Sequence, residues 1–143
     1  MNSTDLLLQQ GKAVLASQPF SQTVGAELTQ LAQGQCELHI PITTALLQQH
    51  GFVHGGVVSY AADNALTFAG GTALQVPVVT SDFKINYVRP AVGERLISRA
   101  QAVYVGKSQA VCRCDVFTLQ DGIEKLCAVA QGTIAALPSG KAP

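Results

Sequence analysis

Charge is what this sequence has least of. Asp, Glu, Lys and Arg together make up 13% of its 143 residues, against a usual share of roughly a quarter. A single domain with so little charge covers part of its surface with copies of itself, which predicts an oligomer. Nine acidic and nine basic side chains cancel, and no basic block stands out, which excludes a nucleic-acid partner. No apolar run reaches the roughly 18 uninterrupted residues of a spanning helix, so no membrane partner is expected. The opening "MNSTDLLLQQGKAVLASQ" carries an early acid and frequent polar residues, unlike the apolar run of a secretion signal. No CxxC pair occurs among Cys36, Cys112, Cys114 and Cys127, and with the three histidines they show no zinc spacing. No metal is therefore expected. The thiols read as reduced and buried, and the expected location is cytoplasmic.

What is present suits one compact domain covering 1–143. Hydrophobic residues reach 48%, enough at this length for a core without disulfides. Ser3 or Thr4 can cap a helix over about 3–16, with Leu7, Val14 and Leu15 as its apolar stripe and Pro19 ending it. Two short strands are predicted near 23–31 and 34–42, joined by "AQGQ". In the second, Cys36, Leu38 and Ile40 alternate with Gln35, Glu37 and His39, which buries one face and leaves His39 solvated. "TTALLQQ" reads as one helical turn, and a loop with His50 and Gly51 leads to a long apolar helix. Four strands follow, at 76–91, 94–106, 108–120 and 122–137, the last pair joined by the hairpin dipeptide Asp121-Gly122. Their short turns imply an antiparallel meander. A helix that is apolar nearly all round must be buried. The expected fold class is therefore α+β: a long central helix wrapped by a curved antiparallel β-sheet of five to six strands, with a core over about 20–137 and a frayed tail "PSGKAP".

The chemistry gathers in "FVHGGVVSYAADNALTFAGG" (52–71). Asp63 stands in the middle of the apolar helix with no Lys or Arg in the stretch to pair it. A buried, unpaired carboxylate loses several kcal/mol or more on desolvation, so Asp63 either reaches solvent or lines a cavity where its charge is used. As an alternative, Ser59 or Thr67, on the same face at i−4 and i+4, holds it as a core aspartate. His54-Gly55-Gly56 precedes the helix. Two glycines let backbone N–H groups approach a ligand, and a helix start adds unpaired donors and partial positive charge. That is what an oxyanion hole needs; a plain flexible helix start is the alternative. Gly55 and Asp63 are roughly 12 Å apart along the helix. If both serve one reaction, the second comes from another copy of the chain, as a two-fold dimer allows.

The stretch "HGFVHGGVVSYAADNALTFAG", followed by "VTSDFKINYVRPAVGERLISRAQAVYVGKSQAVCRCDVF", resembles the PaaI-like hotdog-fold acyl-CoA thioesterases over about residues 20–137. The shared pattern is HGG, an acid nine residues after the histidine, a strand ending in Arg-Pro-Ala, and a Gly-Lys-Ser turn. The resemblance implies a hotdog fold, an obligate homodimer that pairs into a homotetramer, an acyl-CoA substrate, no cofactor, and active sites across the dimer interface. It implies that Gly55 donates its N–H to the thioester oxygen, with His54 shaping that loop beside Gly56. Asp63 of the other subunit is then general base or nucleophile, with Thr80, or its neighbour Ser81, near the carboxylate or its water. Family members often carry Asn six residues before the HGG histidine to hold substrate or water; here the position is Gln48. Arg89 and Lys107 are candidate contacts for the phosphates of coenzyme A, with the Gly106-Lys107-Ser108 turn offering backbone donors as well. Tyr87, Phe83 and Phe68 read as core, with one of them free to wall the acyl pocket.

Hydrolysis of an acyl-CoA to the free acid and CoA is the leading reading. A non-catalytic acyl-CoA-binding or sensing protein is the alternative, but such a sensor would usually lack the helix carboxylate and carry an added domain. A hotdog hydratase needs an Asp/His pair at a spacing this sequence does not offer. The acyl group stays open: Ala61, Ala62, Ala65 and Ala69 leave room for aliphatic or aryl groups, and an acyl carrier protein is a second possible donor.

Overall fold

In the computed structural model, which describes residues 2–138, Asn2 rather than Ser3 or Thr4 caps the first helix. Its side-chain oxygen accepts from the Asp5 N–H at 2.8 Å, opening α1 (Ser3–Ala16). α1 lies on β1 (Glu27–Ala32) through Gly11 and Leu15, while Val14 faces solvent. A methyl group added to Gly11 would sit 2.5 Å from Leu31, so glycine sets this approach. Pro19 does not end α1. It opens a second helix, α2 (Pro19–Val24), at a first-turn position where its missing N–H is no loss. The strand expected from 23 accordingly starts at Glu27, after the left-handed Gly25.

The remaining elements are β2 (Gln35–Pro41), a 3₁₀ turn (Thr44–Leu46), α3 (Gly55–Leu74), β3 (Val78–Tyr87), β4 (Arg95–Val105), β5 (Gln109–Gln120) and β6 (Ile123–Ala136). They build one six-stranded antiparallel sheet in the order β1-β2-β4-β5-β6-β3. The meander expected over all four later strands holds only for β4, β5 and β6. β3 leaves its sequence neighbour and pairs with β6 at the far edge, because residues 88–94 cross the sheet instead of turning back on it. Val53 N–H donating to Ala91 O and Glu94 N–H to Leu119 O fix that crossing. The β5–β6 hairpin closes at Asp121 (φ 51°) and Gly122 (φ 76°), both left-handed, as a tight primed turn requires. The tail expected to fray lies, beyond Pro138, outside the described residues.

The sheet curves around α3, whose Ala61, Ala62, Ala65, Leu66 and Ala69 are fully enclosed. Burial is one-sided, however. Gly56 is exposed, and Ser59, Tyr60, Asp63, Thr67 and Gly71 remain partly so, leaving an open stripe along the helix. On the sheet side α3 comes so close to β6 that a methyl on Gly70 would lie 2.5 Å from Ile134 Cβ. Gly70→Val should therefore lower the unfolding free energy by about 1–3 kcal/mol, the usual range for overpacking. Urea denaturation reads it, and unchanged stability would mean the helix can lift off β6 freely. The four cysteines are buried and unpaired. Burial pushes the Cys112 and Cys127 thiols up to about 11 and Cys114 up to about 12, so they stay protonated packing groups. No helix among the described residues is long and apolar enough to cross a membrane.

The outer face of the sheet carries a charge network. Arg99 bridges Glu37 (2.7 Å) and Glu124 (2.7 Å) and lies over the Phe117 ring. His39, expected in solvent, instead meets Glu37 at 3.0 Å. Burial pushes the Glu37 carboxyl up, but hydrogen bonds from Arg99, His39 and Thr29 outweigh it and hold it below the usual range. The Arg99 hydrogen bond lowers Glu124 likewise. Both groups bind fewer protons folded than unfolded, so their contribution is present above the ordinary carboxylate range and is lost as pH falls through it. The melting temperature should drop below about pH 5, and Arg99→Ala should flatten that acid limb. An identical limb in the variant would place the acid sensitivity elsewhere.

Candidate active site

Two clusters flank the open stripe of α3. The first is its N-terminus. His54 N–H donates to Leu46 O at 2.8 Å, tying the loop to the 3₁₀ turn. His54 then caps the helix by accepting the Gly56 N–H on Nδ1 at 2.8 Å, which leaves Nδ1 without a proton. The Gly56 donor is thus consumed. The Gly55 N–H meets no acceptor among the described residues, while its carbonyl accepts from the Tyr87 hydroxyl at 3.1 Å. An unpaired N–H at the positive end of a 20-residue helix is an electrophilic point. It opens on a cleft of about 340 Å³ lined by Gln48, Phe52, Gly55, Val58, Tyr87 and Arg89, among others. Gln48 spends its side-chain oxygen on the N–H groups of His50 and Phe52, closing the 48–52 turn.

The second cluster is Asp63. Its carboxylate is held by neither Ser59 nor Thr67. Thr80, on β3, donates to Oδ1 at 2.6 Å, whereas Thr67 donates to the Asp63 backbone carbonyl at 2.8 Å. Thr67 Oγ1 also lies 3.1 Å from Thr80 Oγ1, so the two hydroxyls and the Asp63 carboxylate form one hydrogen-bonded cluster. Oδ2 has no hydrogen-bond partner among the described residues and is reachable from outside. One carboxylate oxygen is fixed and the other is free to take a proton from water.

The structure brings together Asp63 with Thr80, and Gly55 with Gln48, Tyr87 and Arg89. It does not bring these two groups together: Asp63 is absent from the wall of the Gly55 cleft. Arg89 and Lys107 are also apart. The Arg89 N–H donates to Cys127 O, whereas Ser108 O accepts from Ala136 N–H. Those two β6 positions are roughly 30 Å apart along the strand. Lys107 and Ser108 are exposed in the β4–β5 turn, and Ser81 is the exposed extra residue of a β-bulge between Thr80 and Asp82. Among the described residues no three His, Cys, Asp or Glu side chains converge as a metal site would need.

Of three aromatic neighbours of this face, two were not legible in the sequence. Tyr87, read as core or as a wall of the acyl pocket, is 54% exposed and walls the cleft. Tyr60, one helical turn before Asp63, was passed over, and its position on the Asp63 face was the available signal. Phe20 was hidden with α2 itself, too short for periodicity to mark.

Comparison with known proteins agrees with this fold. The thioesterase superfamily profile matches residues 50–125, more than half of the chain. A thioesterase family protein from Silicibacter pomeroyi is 36% identical and superposes with a TM-score of 0.86 over 92% of this chain and 98% of its own. A mutant of the phenylacetic acid degradation protein PaaI from Thermus thermophilus is 30% identical, with a TM-score of 0.74 over 83% of this chain and 99% of its own. The acyl-coenzyme A thioesterase PaaI of Escherichia coli is 24% identical over 78% of this chain and 80% of its own. With a long helix cradled in a six-stranded sheet, a free N–H at the helix start and an acid at its middle, the chain belongs to the thioesterase superfamily and is a PaaI-like hotdog protein.

Proposed function

We propose that the protein hydrolyses an acyl-CoA thioester to the free acid and CoA in a site shared by two chains. The observation that carries this reading is the pair of half-sites: a free Gly55 N–H at one end of the stripe, and an Asp63 carboxylate with one open oxygen in its middle. β3 is an edge strand with Val79, Tyr87 and Val88 about half exposed. Antiparallel pairing of two such edges about a two-fold axis would run the α3 helices of the two chains in opposite directions, the start of one beside the middle of the other. Such a pairing is what one site built from Asp63 and the partner's Gly55 requires. The low charge content supports the same arrangement.

In the reaction, Asp63 takes a proton from water as the water oxygen bonds to the thioester carbon. The carbonyl oxygen becomes an oxyanion that accepts from the partner's Gly55 N–H, the term that lowers the barrier most. As the carbon–sulfur bond breaks, the proton on Asp63 passes to the departing CoA sulfur, and the acid is released. No cofactor enters. Direct attack by Asp63, through an anhydride that water then opens, uses the same geometry.

Release of free thiol from a series of acyl-CoA substrates tests the reading, and no release from any of them would end it. Arg89→Ala and Lys107→Ala should each weaken acyl-CoA by about 1.5–3 kcal/mol, the worth of a charged hydrogen bond, while sparing the pantetheine thioester. Equal losses on both substrates would remove these cations from CoA binding.

A further inference from the structure

Next to Asp63, around Tyr60 and Asn64 of α3, four polar side chains form a closed set. The Tyr60 hydroxyl donates to Ser21 Oγ at 2.6 Å, and Ser21 Oγ donates to Gln18 Oε1. Asn64 Nδ2 donates to Gln18 Oε1 at 3.1 Å and to the Tyr60 hydroxyl oxygen at 2.9 Å. No buried side-chain polar atom in the set is left unpaired. A satisfied buried network fixes one geometry, and this one fixes α2 and its preceding residue against α3. Burial, with the charge of Asp63 adding to it, pushes the Tyr60 phenol up, so the hydroxyl stays a neutral donor.

What α2 presents beside that network is Phe20. Its ring stands edge-on to Tyr60, with centroids 5.3 Å apart and planes at 71°. At 62% exposure it is the most exposed large apolar side chain among the described residues. Tyr60 precedes Asp63 by three residues, on the same helical face. Thr80 holds Asp63 Oδ1, and Oδ2 stays open. The Phe20 ring thus lies one aromatic side chain away from the helical face that carries Asp63, so an acyl chain running from Asp63 over Tyr60 would meet it.

We infer that Phe20 is the specificity-determining wall for the acyl group, and that Gln18, Ser21, Tyr60 and Asn64 are positioning residues that hold it at a fixed distance from Asp63. This rests on the acyl-CoA reading above, because it assigns the acyl end of that substrate. Phe20 acts only on groups long enough to reach it, so its removal enlarges the pocket at the far end and leaves the reacting end as it was.

The experiment compares the wild type, Phe20→Ala and Tyr60→Phe on straight-chain acyl-CoAs from acetyl to dodecanoyl and on phenylacetyl-CoA. Binding of the matching S-alkyl-CoA thioethers, which cannot be hydrolysed, is measured in parallel. Phe20 is exposed, so Phe20→Ala should stay folded, and its melting curve checks this. For Phe20→Ala, kcat/KM should fall about tenfold for acyl groups of the size the wild type prefers, change less than about twofold for acetyl, and shift the optimum to longer chains. Tyr60→Phe should broaden the chain-length profile through KM with kcat on acetyl-CoA retained. The same loss at every chain length, acetyl included, overturns the assignment and leaves the hydrolase reading intact. If no substrate is hydrolysed but the thioethers lose their length dependence with Phe20→Ala, the assignment stands and the hydrolase reading falls. Thioether affinity independent of length in the wild type overturns the assignment outright.

Discussion

Asp63→Asn will lower kcat by about 10²–10⁴, the range for loss of a positioned general base. The variant is a clean one for a structural reason. Asparagine keeps an oxygen where Thr80 donates at 2.6 Å, so the side chain stays anchored and only the open oxygen is exchanged for an amide. Folding and substrate binding should survive, with KM changed far less than kcat. A folded Asp63→Asn protein that turns over substrate near the wild-type rate removes Asp63 from the chemistry, whether as base or as nucleophile.

Mixing two inactive variants will restore activity. Gly55→Pro removes the free N–H, and the local backbone accepts it. Gly55 is the first helical residue, His54 before it sits at φ −57° and ψ 136°, and a Cβ at Gly55 would touch only the Tyr87 ring at 3.6 Å. In a cross-chain site, a mixed dimer of Gly55→Pro with Asp63→Asn gathers both lesions in one site and leaves the other intact. Co-refolding at equal ratio makes half of the dimers mixed, so about a quarter of wild-type activity should return from two nearly silent parents. Gly55→Pro alone must first be shown to be folded and dimeric. Verified mixed dimers without recovery place the whole site within one chain, against the roughly 12 Å along α3 that separates its halves.

Much of the frame was legible before any coordinates. The hydrophobic content of 55–74, the alternation in 35–41 and the Asp121-Gly122 turn are local properties, written in periods of a few residues, and each element appears where its period ends. So too was the isolation of Asp63, since a carboxylate without a nearby cation is visible in one dimension. Strand order was not legible: a seven-residue connection at 88–94 looks like a hairpin loop until it is seen to cross the sheet. α2 escaped because six residues are too few for helical periodicity to register, and it is held by hydrogen bonds to Tyr60 and Asn64 that lie some forty positions away.

Apart from α2 and the start of β1, the sequence by itself determined which stretches are helix and which strand, that α3 would be enclosed on most of its surface, and that one acid would stand inside it. These follow from side-chain polarity and backbone preference, which act over neighbouring residues. Tertiary structure alone decided that Thr80 would hold Asp63. Thr80 and Phe83 are three residues apart and would face opposite sides of a regular strand, but the bulge at Ser81 turns both inward. It also decided that Arg89 and Lys107 stand at opposite ends of the sheet, that Tyr87 reaches back to Gly55, and that Phe20 comes to rest over Tyr60. The contacts among these join separate elements of the chain, and the packing of the sheet around α3 is what brings them within a few ångströms.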